Sequence, residues 1–281
     1  MTATSSSTIL RPMDLRDRHA MITGGSSGIG LSVAEHFAEL GCHVHLVGRS
    51  AAKLEQAASQ VRRTARSEVR AHACDVGDAA AVDSLFESLR ASGASVSVLI
   101  NSAGQSRPGY FEELPLEVFE RLMRVNFFGT VNTCKALAPD LIARRDGYIV
   151  NISSVAGLMG VFGYTAYSSS KFAVTGFTES LRAELLPHGV GVSLLCPGDV
   201  DTPMLSSEAP HAPKETLALN AKAGILPPRA VTKALVRGMQ RRSARIVPGA
   251  DAKLASRAHR FFPGLVERIM QRTIRRARTP S

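Results

Sequence analysis

The chain of 281 residues has no tryptophan, and aromatic residues make up only 5% of it. Stacking platforms for nucleic-acid bases are therefore scarce. Its basic clusters, Arg62-Arg63 and Arg241-Arg242 among them, lack interleaved aromatics, so no nucleic-acid partner is expected. Acidic residues are outnumbered, and the formal net charge is +10. That balance attracts anions generally, nucleotide phosphates and acidic lipid surfaces included. No apolar run approaches the ~18 residues that a membrane-spanning helix requires. There are four cysteines, Cys42, Cys74, Cys134 and Cys196, far apart and each inside an apolar stretch. With no C-x-x-C pair and no secretory leader, they read as buried free thiols of a reducing cytoplasm. The eight histidines show no metal-ligand spacing. His43 and His45 alternate on a strand pattern and are expected to face solvent or a neighbouring helix.

What is present is a regular alternation of short apolar runs with amphipathic stretches, within an apolar content of 44%. Residues 1–17 are polar, rich in serine and threonine, and read as a flexible lead-in. Strands are expected at His19–Thr23, Cys42–Val47, Val69–Cys74, Val96–Ile100, Tyr148–Val150, Gly191–Cys196 and Arg245–Val247. Helical patterns lie between them. The longest runs from Leu116 to about Arg144, with an irregularity expected at Pro139. Asn126 falls in mid-helix, where exposure would be its simplest explanation. A Pro/Gly-rich segment at about 206–228 interrupts the alternation and suggests a mobile lid. The pattern predicts an α/β fold: a doubly wound, mostly parallel Rossmann-type sheet in one domain over 18–250. A basic tail covers 251–281.

The chemistry-bearing residues gather at expected strand ends. Gly24-Gly-Ser26-Ser27-Gly28-Ile29-Gly30 joins a strand to a helix, the context that a dinucleotide-phosphate loop needs. Gly48-Arg49 ends the second strand, where such folds carry an acid for a ribose 2′-OH. Arginine there suits a 2′-phosphate, and equally a surface residue at a helix start. Tyr167 and Lys171 stand four apart, one turn along a helix. An ammonium within ~4 Å at an effective dielectric of about 20 favours phenolate by up to ~4 kcal/mol, enough to make a tyrosine a usable acid/base. Ser154, at the end of the preceding strand, is placed to hold the same substrate oxygen.

Taken together, Thr23-Gly24-x-x-x-Gly28-x-Gly30, Asp75, Asn101-x-Ala103-Gly104, Asn126, Ser154, Tyr167-x-x-x-Lys171 and Pro197-Gly198 resemble the classical short-chain dehydrogenase/reductase family over about residues 18–250. The resemblance implies a nicotinamide-dependent oxidoreductase that is a homodimer or homotetramer. It makes Tyr167 the general acid/base and gives Ser154 the substrate oxygen. Lys171 would bind the nicotinamide ribose and lower the tyrosine pKa, with Asn126 completing the tetrad through a water. Gly24, Ser26, Ser27, Gly28, Ile29, Gly30 and Arg49 would take the phosphate and adenosine end, and Asp75 and Val76 the adenine. Asn101 would take a ribose, Thr202 the carboxamide, and Ala103, Gly104, Pro197, Gly198 and Val200 complete the cofactor wall. Ser102 departs from the family's usual asparagine. Several stretches, Asp199-Val-Asp-Thr-Pro among them, look like 3-ketodihydrosphingosine reductases. The leading expectation is an NADP(H)-preferring reductase of a ketone on an apolar, lipid-like substrate. An NADP-dependent alcohol or hydroxysteroid dehydrogenase is the alternative, and a non-catalytic dinucleotide-binding regulator is disfavoured by the intact tetrad.

In the tail, Phe261, Phe262, Leu265, Val266, Ile269, Met270 and Ile274 recur at helical intervals beside Arg260, Arg268, Arg272, Arg275, Arg276 and Arg278. This is the pattern of a helix lying on a membrane surface. The same stripe would equally pack on the lid or on another subunit.

Overall fold

A computed structural model describes residues 13–221 and 223–278. Residues 1–12 of the expected lead-in lie outside the described residues. Its last part does not behave as a lead-in, because Met13 and Leu15 are buried in the core beside Phe37 and Val44.

Seven strands form one sheet: β1 (His19–Thr23), β2 (His43–Gly48), β3 (Val69–Ala73), β4 (Val96–Asn101), β5 (Tyr148–Ile152), β6 (Gly191–Leu195) and β7 (Arg245–Ile246). Their order is β3-β2-β1-β4-β5-β6-β7, and every pairing is parallel. The direction of winding reverses between β1 and β4, where ligands bind in such sheets. Successive side chains of a strand point to opposite faces, so β1 sends Ile22 into one core and Met21 into the other. The first core is closed by α1 (Gly28–Glu39), α2 (Ala51–Arg62) and α9 (Pro228–Gln240), through Phe37, Leu54 and Leu235. The second is closed by α3 (Ala79–Ala91), α5 (Gly129–Arg144) and α6 (Thr165–Leu185), through Phe86, Leu141 and Leu185.

Three expectations are corrected. The long helix is broken not at Pro139, which α5 absorbs, but earlier: α4 (Leu116–Leu122) passes through a π-helical turn, Met123–Phe128, into α5. The extra residue in that turn directs Asn126 inward, where it is buried. The segment read as a mobile lid is largely helical, with α7 (Pro203–Glu208) and α8 (Lys214–Asn220) around a short 3-10 turn. The tail is two helices, α10 (Ala250–Phe261) and α11 (Pro263–Arg278). Pro263 disfavours helical geometry at the residue before it, and Phe262 accordingly leaves the helix at φ −135°.

His45 differs from expectation as well. It is buried in a ladder across β1, β2 and β3: its ring nitrogens lie 3.0 Å from His19 on one side and 3.0 Å from His72 on the other. Burial, then the neighbouring imidazoles, push its pKa down to about 3. Among the described residues no group of histidine, cysteine and carboxylate side chains is arranged to hold a metal. Nor is any described helix long and apolar enough to cross a membrane. All four cysteines are free and buried.

Candidate active site

The loop from β1 to α1 is drawn tight against the sheet. Gly24 has φ +65°, and a Cβ there would stand 2.8 Å from the Ala103 amide nitrogen. Gly28 has φ +56°, and its Cβ would meet the Thr202 methyl at 3.0 Å. Only glycine takes that backbone geometry cheaply and leaves space for a ligand to approach the chain. Thr23 Oγ1 accepts from the amides of Ser102 and Ala103 at 3.1 and 3.0 Å, tying the end of β1 to the turn after β4. Ser27 precedes α1 without capping it by its side chain. The first-turn N–H groups, with the positive end of the helix dipole, therefore remain open to a phosphate.

The other cofactor-side residues divide. Arg49 is exposed directly after β2. Asp75 is exposed, and its Oδ1 accepts from the Gly77 amide at 2.9 Å. Val76 is buried against Gly129 at the start of α5. The Asn101 side chain, expected at a ribose, is engaged within the protein. It is buried, donates to Asn151 Oδ1 at 2.9 Å and accepts from Thr133 Oγ1 at 2.7 Å. Asn151 in turn donates to Thr178 Oγ1 at 3.0 Å. This buried polar chain joins β4, β5 and α6, and is satisfied within the protein.

Tyr167 and Lys171 lie on α6, and Ser154 caps the 3-10 turn Val155–Gly157 after β5, accepting from the Ala156 amide at 3.1 Å. Lys171 is 5% exposed, donates its ammonium to the Ile152 carbonyl at 2.9 Å, and lies 5.7 Å from the centre of the Tyr167 ring. Asn126 reaches the site from the π-helical turn. Its side chain accepts from the Gln105 amide at 2.8 Å and donates to the Gln105 carbonyl and Ser170 Oγ, each at 2.9 Å. Ser170 then donates to the Tyr167 carbonyl at 2.7 Å. Asn126 is thus a positioning residue for the first turn of α6. A Cβ on Gly104 would come within 3.3 Å of Asn126 Oδ1 and 3.6 Å of Lys171 Nζ, so glycine keeps the space before both groups free.

These elements surround a cavity of about 460 Å³. Ile29, Ser102 and Gly104 line it from the glycine-rich side, with Ser154, Tyr167 and Lys171 in the middle and Pro197, Gly198, Val200 and Thr202 beyond. The roof comes from α7, α8, α10 and α11, through side chains such as Leu205, Leu219, Val266, Ile269 and Met270. Sequence reasoning missed Asp199 and Glu208, two carboxylates in the same lining. It also missed Tyr164, which donates to Glu208 Oε2 at 2.6 Å. The Asp199-Val-Asp-Thr-Pro run was the local signal available for Asp199.

Comparison with known proteins agrees with this geometry. The family described as short chain dehydrogenase matches residues 18–213, more than half of the chain. The chain belongs to the short-chain dehydrogenase family. It is 35% identical to 3-ketodihydrosphingosine reductase of Bos taurus, over 88% of this chain and 75% of that one. Among solved structures, a short-chain dehydrogenase from Sphingobium yanoikuyae in complex with NADPH superposes with a TM-score of 0.75 at 27% identity, covering 90% of this chain and 95% of that one. A short-chain dehydrogenase/reductase from Burkholderia phymatum in complex with NAD gives 0.80 at 27% identity, covering 90% and 96%.

A short-chain dehydrogenase is an NAD(P)-dependent oxidoreductase, and the open end of α1 with its glycine loop fits a dinucleotide. The nicotinamide, when bound, supplies or accepts the hydride. The protein's part is to hold the substrate oxygen and move a proton to it. Here the tyrosine differs from expectation, because its pKa is raised, not lowered. Burial is the main cause; Glu208 and Asp199 add to it, and a hydrogen bond with Ser154 opposes it. The phenol is therefore protonated at neutral pH, the form that donates to a ketone oxygen. Burial also pulls Lys171 down to about 8, so it is a cation below that pH and can stabilise the phenolate left by proton donation.

Two outcomes follow from this geometry. Tyr167→Phe removes the proton donor and keeps the ring, and should cost on the order of 10²–10⁴-fold in turnover while cofactor binding is retained. Turnover within a few-fold of the parent would remove Tyr167 from the mechanism. Separately, kcat/KM for the cofactor in ketone reduction should fall as pH rises through about 8, where Lys171 loses its proton. A profile flat from pH 7 to 10 would show that its charge is not used.

Proposed function

We propose that this short-chain dehydrogenase reduces the ketone of a long-chain substrate carrying a cationic amine beside the carbonyl, with NADPH as the preferred reductant. The observation that carries the reading is the polarity of the cavity. Its walls are largely apolar, as an alkyl chain requires, yet Asp199 and Glu208 stand in the lining with Tyr167. Both carboxyl groups have raised pKa values, in each case mainly through burial. Glu208 is buried and Asp199 partly so. Carboxylates withdrawn from water are costly unless a cation meets them, and no salt bridge to either is formed among the described residues. A ketone substrate with a neighbouring ammonium answers both features. A 3-ketosphingoid base has this constitution, and the similarity to a 3-ketodihydrosphingosine reductase supports the choice. A neutral hydroxysteroid would bring no cation to the carboxylates.

The substrate reading is tested by comparing a long-chain 2-amino ketone with the neutral ketone of the same length. Asp199→Asn should reduce kcat/KM for the amino ketone about ten- to hundredfold, the worth of a charge-assisted hydrogen bond. The neutral ketone should be little changed. Equal effects on both would remove ammonium recognition from Asp199.

For the cofactor, Gly48-Arg49 replaces the acid that would select a ribose 2′-OH, and Arg49 is exposed where β2 ends. A guanidinium there favours a 2′-phosphate. Arg49→Asp should therefore raise KM for NADPH by an order of magnitude or so while NADH is spared. Equal loss for both would show that Arg49 does not read the phosphate.

A further inference from the structure

The two tail helices have two different faces. Inwardly, α10 and α11 are part of the cavity roof, through Ala252, Ala255, Val266, Met270 and Thr273. The end of α11 is fastened to α8. Arg278 Nε donates to the buried Glu215 carboxylate at 2.7 Å, and its guanidinium lies over the Phe162 ring. Tyr110 holds the other oxygen of Glu215 at 2.8 Å. The part of the stripe made by Val266, Met270 and Ile274 is thus spent on packing, as the lid alternative required.

The rest of it is not. Leu254, Phe261, Phe262, Leu265 and Ile269 are each between 54% and 70% exposed, on two consecutive helices and, for Phe262, at the junction between them. Five such residues on one short stretch of chain differ from the scattered apolar side chains of an ordinary surface. Around them the exposed Arg257, Arg260, Arg268, Arg272 and Arg276 supply positive charge. From Ala250 to Arg278 there are eight lysines and arginines against two acids, more than half of the chain's excess. Ile269 belongs to both faces, lining the cavity and also standing exposed. The apolar interior is therefore continuous with the apolar outside at this point.

We infer that α10 and α11 form a docking face for an anionic lipid bilayer, with Leu254, Phe261, Phe262 and Leu265 entering the acyl boundary and the arginines meeting headgroup phosphates. This rests on the proposed lipid-like substrate and adds its source: the alkyl ketone passes from the bilayer past Ile269 into the cavity. A second copy of the chain fits the face poorly. A twofold contact would set this basic surface against itself, and like charges at close range oppose association. An anionic surface satisfies the arginines and the apolar side chains together, which is how interfacial helices bind.

The test is flotation of the full chain with vesicles of equimolar phosphatidylglycerol and phosphatidylcholine, and with vesicles of phosphatidylcholine alone. The protein should float with the first and stay largely below the second. Two variants separate the contributions, one with Phe261→Ser, Phe262→Ser and Leu265→Ser, the other with Arg260→Glu, Arg268→Glu and Arg272→Glu. Each should weaken partition by roughly tenfold or more, and each should keep the parent's rate on a short, water-soluble amino ketone. Equal flotation of parent and variants, or equal binding to both kinds of vesicle, would overturn the inference. So would an absence of flotation together with a dimer that both variants dissociate. Loss of docking with activity on micellar substrate intact would leave the proposed reaction standing. Flotation by a protein that reduces no long-chain ketone would instead remove the reading on which the inference rests.

Discussion

An ammonium taken out of water must be compensated, and the detail around Lys171 follows from that demand. Its compensation is one backbone carbonyl, Ile152 at the end of β5, rather than a carboxylate. The strand end and the middle of α6 must consequently meet closely. Gly157 permits the approach: a Cβ there would stand 2.2 Å from Ser153 Oγ and 2.7 Å from the Lys171 carbonyl. Ser153 closes the same contact by donating to that carbonyl at 2.9 Å. The turn after β5 is held in turn by β6, since the Val155 amide donates to Pro197 O at 2.9 Å. Ser154 and Pro197 are fixed relative to Lys171 by these bonds. With only a dipole for a partner, the lysine lies well below its ordinary pKa. A carboxylate in place of the carbonyl would have held it charged and spent its field on a permanent ion pair.

Much of this arrangement is local in the sequence. Parallel strands covered on both faces read as short apolar runs, which is why His19–Thr23 and its parallel neighbours were visible. The glycine loop and the Tyr167–Lys171 spacing are local signals too. What escaped depends on partners far along the chain. Asn126 looked like an exposed helical residue because Gln105 and Ser170, which satisfy it, lie 21 and 44 positions away. The buried bonds of Asn101 were likewise invisible, because its partners Thr133 and Asn151 lie 32 and 50 positions away. The segment around α8 looked like a loop from its proline and glycine content, yet it is organised by Arg278, 63 residues from Glu215. The direction of the Tyr167 shift could not be read from spacing either. Four residues on a helix place an ammonium nearby, but do not tell how far the phenol is desolvated or that Glu208 and Asp199 stand beside it.

Net charge is a further case in which the sum misleads about the site. The chain carries +10, and its cavity nonetheless holds Asp199 and Glu208. The excess of positive charge is concentrated outside, on the tail helices. Exposed charges are screened within about 8 Å at physiological salt, whereas groups in a partly dry cavity are screened much less. The two populations therefore act at different places and at different ranges. In the proposed docking the outer arginines would draw an anionic surface toward the roof, and salt would weaken that attraction. The inner carboxylates are felt after a ligand has entered, and salt barely reaches them. A substrate that is itself a cation would be concentrated at an anionic bilayer by the bilayer's own charge and would be repelled by the arginines in bulk water. In the proposed docking this conflict is resolved, because phosphates would neutralise the arginines where such a substrate enters. The basic exterior and the acidic interior are then compatible parts of one route, and each sign is useful only where the other is absent.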